Sequence, residues 1–451
     1  MRKSLSLIIL LSSISLSTFG CNTKKSSSEK YQPLLQKDIQ ITMDASLNEQ
    51  KQTYNLSMKY DDNYFLNDAK TYDKSLSELS FGSAIATAKK ERISEFFKTA
   101  EFKDVLLTSY DIDPTDSTCG YAFAHKSINE YELVAISFRG FNYGQEWANN
   151  FLIGKTGNHE GFNARAVEAF TNLQSYVSTY CAGKTLKVWI NGYSRGGAIA
   201  NVLSSIILQD NKVNVSKENM YTYTFEAPRC LTKENAVAYE NVHNVINSCD
   251  FITYIPPVEY DLYRCGVDHE IYNANVSNIV KTFDANINIP EFVVIEDHAN
   301  NDAELIKYIF DPFFRKENPE ESVSANDRDH YVDNYQPSLS YMIGMVFSLR
   351  ESTRAHLLAD FQALDIFQLS GLIGDETGKE LADFFAPYLV LDSITYDYDV
   401  LQGHSAVFTK LIRELGLNFI VVYATASSDI SRMVDMHYPE VTYSLLLNSH
   451  Q

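Results

Sequence analysis

The apolar run Leu186 to Ile190 (LKVWI) passes through Asn191 into Gly192-Tyr193-Ser194-Arg195-Gly196-Gly197 and then into a segment starting at Ala198 whose spacing is helical. Few chain geometries accommodate that order. A strand that hands over to a helix within a few residues needs a sharp turn, and glycines two residues either side of the central serine remove side chains that would strike the neighbouring strand and helix. The serine is then held in a strained conformation at a helix N-terminus, and the N–H of the next residue, Arg195, can face a developing negative charge. The G-x-S-x-G pattern alone is weak; its place between strand and helix gives it force.

The surrounding sequence supplies the rest of such an architecture. Glu132 to Phe138 (ELVAISF) reads as a buried strand, and Ala164 to Tyr180 as a helix through Ala166, Val167, Phe170, Leu173 and Val177. After the Ser194 turn, Ala198 to Leu208 reads as a helix, and Tyr221 to Phe225 and Val242 to Ile246 as strands. Alternation of this kind predicts an α/β fold with a mostly parallel sheet flanked by helices. Between about Ser338 and Ala424 the pattern turns mainly helical, as in Ser338 to Leu349 and Leu381 to Leu389, which predicts an inserted cap.

A serine hydroxyl becomes a nucleophile only when a base takes its proton, and in this architecture an acid and then a histidine follow the serine in the chain. Asp250 comes just after the strand ending near Ile246 and is the expected acid. Among the later histidines, His269 follows Asp250 by only 19 residues, too few to return through another strand or helix. His437 precedes Pro439 and Glu440, the proline and first-turn acid that mark a helix start, so it lies on a loop from which its ring can face Ser194. His437 is the expected base, with His330 as the alternative.

Of 451 residues, 38 are Lys or Arg and 58 are Asp or Glu, a net charge of −20. No nucleic-acid partner is expected, because phosphate backbones need a basic surface. Asp111, Asp113 and Asp116 alternate like calcium ligands but lack the central glycine and closing glutamate of such a loop, and no metal or organic cofactor is expected. Besides Cys21 there are five cysteines, Cys119, Cys181, Cys230, Cys249 and Cys265, in no metal-site or stapled-domain spacing.

At the N-terminus, Arg2 and Lys3 precede an apolar run from Leu5 to Leu16, too short to span a bilayer, as in a secretion signal. The following Gly20-Cys21 resembles the end of a bacterial lipoprotein signal, with Thr18 where Leu is usual. That resemblance implies removal of residues 1–20, a lipid on Cys21 that attaches the chain to a membrane of the bacterial cell envelope, a polar tether over 21–38 and a folded domain over 39–451.

Five ordered segments resemble the class 3 lipase family of the α/β-hydrolase fold. They are Phe138-Arg139-Gly140 followed by Glu146-Trp147; His159 with Gly161-Phe162; the Gly192 to Ala198 turn; Phe225 with Ala227-Pro228-Arg229; and Asp250 with Pro256-Pro257. The resemblance implies an oxyanion hole from the backbone N–H groups of Arg195 and Phe141 and a triad of Ser194, Asp250 and a late histidine. It departs from the family in Phe141, where Thr or Ser is usual, in Tyr193 and Arg195, where His and Leu are common, and in Glu226, where Gly is usual. The Tyr193 and Arg195 changes are expected to alter the acyl entrance. The 187 residues between Asp250 and His437 are long for the family.

The expected function is therefore a serine carboxylic-ester hydrolase, a lipase acting on acylglycerol or phospholipid esters. Two rival readings share the scaffold: an esterase on a non-lipid acyl ester or thioester, and an inactive surface lipoprotein that binds without catalysis.

Overall fold

The computed structural model describes residues 33–45, 52–112, 118–140, 146, 149–150, 152–210, 212–248, 250–256, 260–271, 328 and 436–449. Along them run β1 (Gln36–Ala45), β2 (Gln52–Asp61), α1 (Lys74–Ala86), α2 (Lys90–Thr99), β3 (Lys103–Thr108), β4 (Tyr121–Ile128), β5 (Tyr131–Phe138), α3 (Glu160–Tyr180), β6 (Thr185–Tyr193), α4 (Arg195–Asp210), β7 (Met220–Phe225), β8 (Leu231–Thr232), β9 (Val242–Asn247), β10 (Leu262–Tyr263), β11 (Val267–Ile271) and α5 (Pro439–Asn448). The signal, Cys21 and the helical insertion expected over 338–424 lie outside the described residues.

Seven strands form the main sheet, in the order β11-β9-β7-β6-β5-β4-β3. From β5 to β11 all neighbours run parallel, while β3, β4 and β5 pair antiparallel. The sheet is thus mostly parallel, with helices on both faces. β6, the strand leading into the Ser194 turn, lies at its centre and is buried from Leu186 onward, as an apolar run covered on both sides should be.

Alternate residues of β6 feed two cores. Val188 and Ile190 pack with Phe170 and Leu173 of α3 and Val202 and Leu203 of α4, whereas Trp189 and Tyr193 join Leu79 and Phe81 of α1, Phe97 of α2 and Leu445 of α5. On the second face, β1 and β2 form an antiparallel ribbon whose period-two residues Ile39, Ile41, Met43, Leu56, Met58 and Tyr60 are buried. β1 starts at Gln36, so the last three residues of the expected tether are strand; Gln36, Lys37 and Asp38 are exposed on the ribbon and pair with Asp61, Tyr60 and Lys59.

Cys119, Cys181, Cys230 and Cys265 are buried free thiols, and burial pushes the Cys230 thiol up to about 12, so it stays protonated and inert. Cys249 lies outside the described residues. Asp111 pairs with Lys90 on the surface, at 2.5 Å, while Asp113 and Asp116 are not described.

Candidate active site

β6 ends at Tyr193 and α4 begins at Arg195, leaving one residue between strand and helix. That residue, Ser194, has φ +53°, the left-handed conformation that costs a non-glycine residue about 1–3 kcal/mol. It persists because the neighbours fix both sides: the Ser194 N–H donates to the Phe225 carbonyl at 2.7 Å, and the Ser194 carbonyl accepts from Ala198 N–H at 3.0 Å. A Cβ on Gly192 would lie 2.2 Å from the Gly196 carbonyl oxygen, and one on Gly196 would lie 2.5 Å from that of Phe138. Neither position admits a side chain. The serine hydroxyl consequently stands at the carboxyl end of the central parallel strand and at the N-terminus of α4.

Asp250 sits three residues beyond β9 and is completely buried. Its Oδ1 accepts the Ile252 N–H at 2.9 Å, capping a 3-10 turn, while Oδ2 lies 2.5 Å from His437 Nδ1. Capping and facing the histidine are therefore simultaneous, one oxygen for each. His437 Nε2 is in turn 2.8 Å from Ser194 Oγ. Because an ionised carboxylate only accepts, Nδ1 carries the proton toward Asp250 and Nε2 is left to accept the serine O–H.

His437 reaches this place by its backbone as well as its ring. Tyr193 O–H donates to the His437 carbonyl at 2.6 Å, and Asn247 Nδ2–H donates to the Met436 carbonyl at 3.1 Å. Pro439 then opens α5, which packs into the core with Tyr443 stacked on Phe81. Tyr193 thus holds the peptide of His437. The expectation that Tyr193 and Arg195 shape the acyl entrance is not met by the contacts of their side chains, because both are buried and turned into polar networks.

Glu226, which the sequence left without an account, belongs to the same anchorage. It is buried with φ +48°, its N–H donates to Val245, its Oε2 accepts from Asn247 N–H at 2.9 Å, and its Oε1 accepts from Thr442 Oγ1 of α5 at 2.9 Å. Burial, and then the neighbouring Asp250 charge, hold the Glu226 carboxyl well above the usual carboxylate range. Glu226→Gln, neutral and isosteric, is expected to unfold in urea close to wild type. Glu226→Leu takes the acceptor from the Asn247 N–H and leaves Thr442 Oγ1 with Tyr193 O–H, and is expected to lose about 1–3 kcal/mol in the same measurement.

Near the turn lies a second polar cluster. The Arg195 guanidinium is buried; its Nη1 donates to Glu146 Oε2 at 3.2 Å and its Nη2 to the Thr118 carbonyl at 2.8 Å. Arg139, two residues before Phe141, donates from Nη2 to Glu146 Oε1 at 2.6 Å. His159, from the same set of sequence segments, is buried and neutral: Nε2–H donates to the Asn150 carbonyl, the ring stacks on Phe162, and burial pulls its pKa down to about 3.

Ser194, Asp250 and His437 are therefore brought together, and the Arg195 N–H opens α4 beside them. Phe141 and His330 lie outside the described residues. His269 is remote in role, its Nε2 3.0 Å from His243 Nδ1 and its ring stacked on Tyr72. Sequence reasoning named Glu146 only as part of a motif and missed Asn247 and the role of Tyr193, whose partners lie far along the chain.

A mostly parallel sheet flanked by helices, with a serine on a strained strand-to-helix turn, is the α/β-hydrolase fold, and the chain is a carboxylic-ester hydrolase of that class. Residues 135–260, the stretch from β5 past Asp250, match the family model of lipase (class 3).

Solved structures similar to the chain include a lipase from Rhizopus microsporus var. chinensis, at 18% identity and TM-score 0.34 over 45% of this chain and 76% of that one. A triacylglyceride lipase of Rhizomucor miehei shows 17% identity and TM-score 0.34 over 45% and 82%. Lipase II of Rhizopus niveus shows 17% identity and TM-score 0.33 over 44% and 80%. No curated protein matches the sequence.

Proposed function

We propose that the chain is a lipase that cleaves acylglycerol or phospholipid esters, with Ser194 as nucleophile, His437 as general base and Asp250 as the acid that orients it. The observation that carries this reading is the unbroken hydrogen-bonded line from Ser194 Oγ through His437 to Asp250. His437 Nε2 takes the serine proton as Oγ attacks the ester carbonyl, and Asp250 stabilises the imidazolium that forms. The Arg195 and Phe141 N–H groups hold the oxyanion as the tetrahedral intermediate develops. His437 then gives its proton to the departing alcohol, and water, activated by the same nitrogen, releases the acyl group. In this reading lipidated Cys21 keeps the enzyme at a membrane of the bacterial cell envelope, next to its substrate.

The test is a substrate series on the chain starting after Cys21: a soluble p-nitrophenyl ester, emulsified triacylglycerol, phospholipid vesicles and an acyl thioester. Turnover of the lipid substrates is expected, with faster rates on emulsion than on monomeric ester. Turnover of the soluble ester or thioester alone would replace the lipase by an esterase or thioesterase. No turnover of any would leave a binding lipoprotein.

A further inference from the structure

We infer that Tyr193 and Asn247 are positioning residues that fix the catalytic base to its two partners by gripping its backbone, an inference resting on the ester-hydrolase reading of the site. His437 lies 243 residues along the chain from Ser194 and 187 from Asp250, so chain connectivity does not set the distances between them. Side chains from the two partner segments do. Tyr193, the residue before the nucleophile, donates its O–H to the His437 carbonyl at 2.6 Å. Asn247, the last residue of β9 and three before the acid, donates from Nδ2 to the Met436 carbonyl at 3.1 Å. Two successive carbonyls are thus held, one from the strand that carries the serine and one from the strand that leads to the aspartate.

Both donors are themselves fixed. Tyr193 is buried, its ring is edge-on to Phe81, and its oxygen lies 3.1 Å from Thr442 Oγ1. Burial, and then the charges of Glu226 and Asp250, raise its phenol well above the usual range, so it keeps the proton it donates. The buried Asn247 is tied by its own N–H to Glu226 Oε2 at 2.9 Å. This grip has a use that the bonds of the imidazole cannot serve. Once Ser194 Oγ carries an acyl group it has no proton to give His437 Nε2, and the ring is left with its Asp250 bond. The two backbone bonds are untouched by the reaction, so they supply the ring with one fixed pivot for acylation and deacylation alike. An error of about 1 Å at such a centre can cost about 10²-fold in rate.

The test compares the full chain as wild type, Tyr193→Phe, Asn247→Leu and, as a control, Tyr221→Phe on p-nitrophenyl butyrate, each well below its own unfolding midpoint. Tyr193→Phe deletes one oxygen and keeps the ring. It is expected to lower kcat by about 10- to 100-fold with KM within about threefold, because a misplaced base is felt in the transition state. Asn247→Leu should lose kcat in the same way. Tyr221→Phe deletes a buried hydroxyl on the neighbouring strand, one that bonds the carbonyls of Phe65 and Asn67, and should lower the midpoint while leaving kcat at wild type. A folded Tyr193→Phe or Asn247→Leu with wild-type kcat would overturn the inference, as would a Tyr221→Phe that loses as much kcat as Tyr193→Phe. Should Asn247→Leu fail to fold, Tyr193→Phe decides alone. An inactive wild type removes the ester-hydrolase reading and this inference with it, whereas an active wild type with unaffected variants removes only the inference.

Discussion

Ser194→Ala is expected to abolish labelling by a fluorophosphonate probe and to lower kcat on a soluble ester by about 10⁶-fold, the scale seen when the nucleophile of a serine triad is removed. The geometry predicts a companion result. His437→Ala should fall nearly as far, because Nε2 of that residue lies 2.8 Å from the serine oxygen and a serine without a base is a poor nucleophile. His330→Ala should retain labelling. The combination of His330→Ala silent and His437→Ala active would reverse the assignment of the base, and labelling that survives in Ser194→Ala would remove the nucleophile altogether. Melting curves of each variant separate lost chemistry from lost folding.

Asp250→Asn carries the second largest expected effect, about 10⁴-fold in kcat with the fold kept. Oδ1 is retained, and with it the bond from Ile252 N–H that shapes the turn. What changes is the partner of His437 Nδ1. The asparagine can present its NH2 there, which leaves the imidazole proton on Nε2, where it opposes the serine O–H instead of accepting it. The imidazolium also loses its counter-charge. The prediction is checked by single-turnover kinetics with the same ester, and near-wild-type turnover would remove Asp250 from the mechanism.

Much of the site-bearing half of the fold was legible because its strands are covered on both faces and β5 and β6 read as nearly continuous apolar runs; β7 and β9, which mix apolar residues with Thr, Asn and His, also lie within a few residues of the expected segments. Their ends were less legible. α4 starts at Arg195 instead of Ala198, since its first turn is built from an arginine and two glycines that propensity disfavours and the close strand-to-helix junction demands. β1 and β2 were overlooked although Ile39, Ile41 and Met43 alternate, because a two-stranded ribbon shows a weak signal among polar residues. In the site, Ser194 and Asp250 follow recognisable strand ends. His437 could only be weighed against His330, since proximity across 187 residues is a property of the closed molecule. The same holds for Glu226 and Glu146, whose partners lie up to 216 and 49 residues away.

The docking of α5 has a consequence for how such a chain can change over time. His437 is held by contacts that α5 and its preceding turn make with the core: the Tyr193 and Asn247 bonds, the Thr442 to Glu226 bond, and Lys74 Nζ on the carbonyls of Leu447 and Ser449. Loop-closure entropy rises only with the logarithm of length, so doubling the chain between Asp250 and His437 would cost about 0.6 kcal/mol. That intervening stretch can lengthen, shorten or be exchanged for another with little change in where the imidazole lands. The Ser194, His437 and Asp250 geometry can thereby stay bolted to the sheet while the length of that stretch drifts.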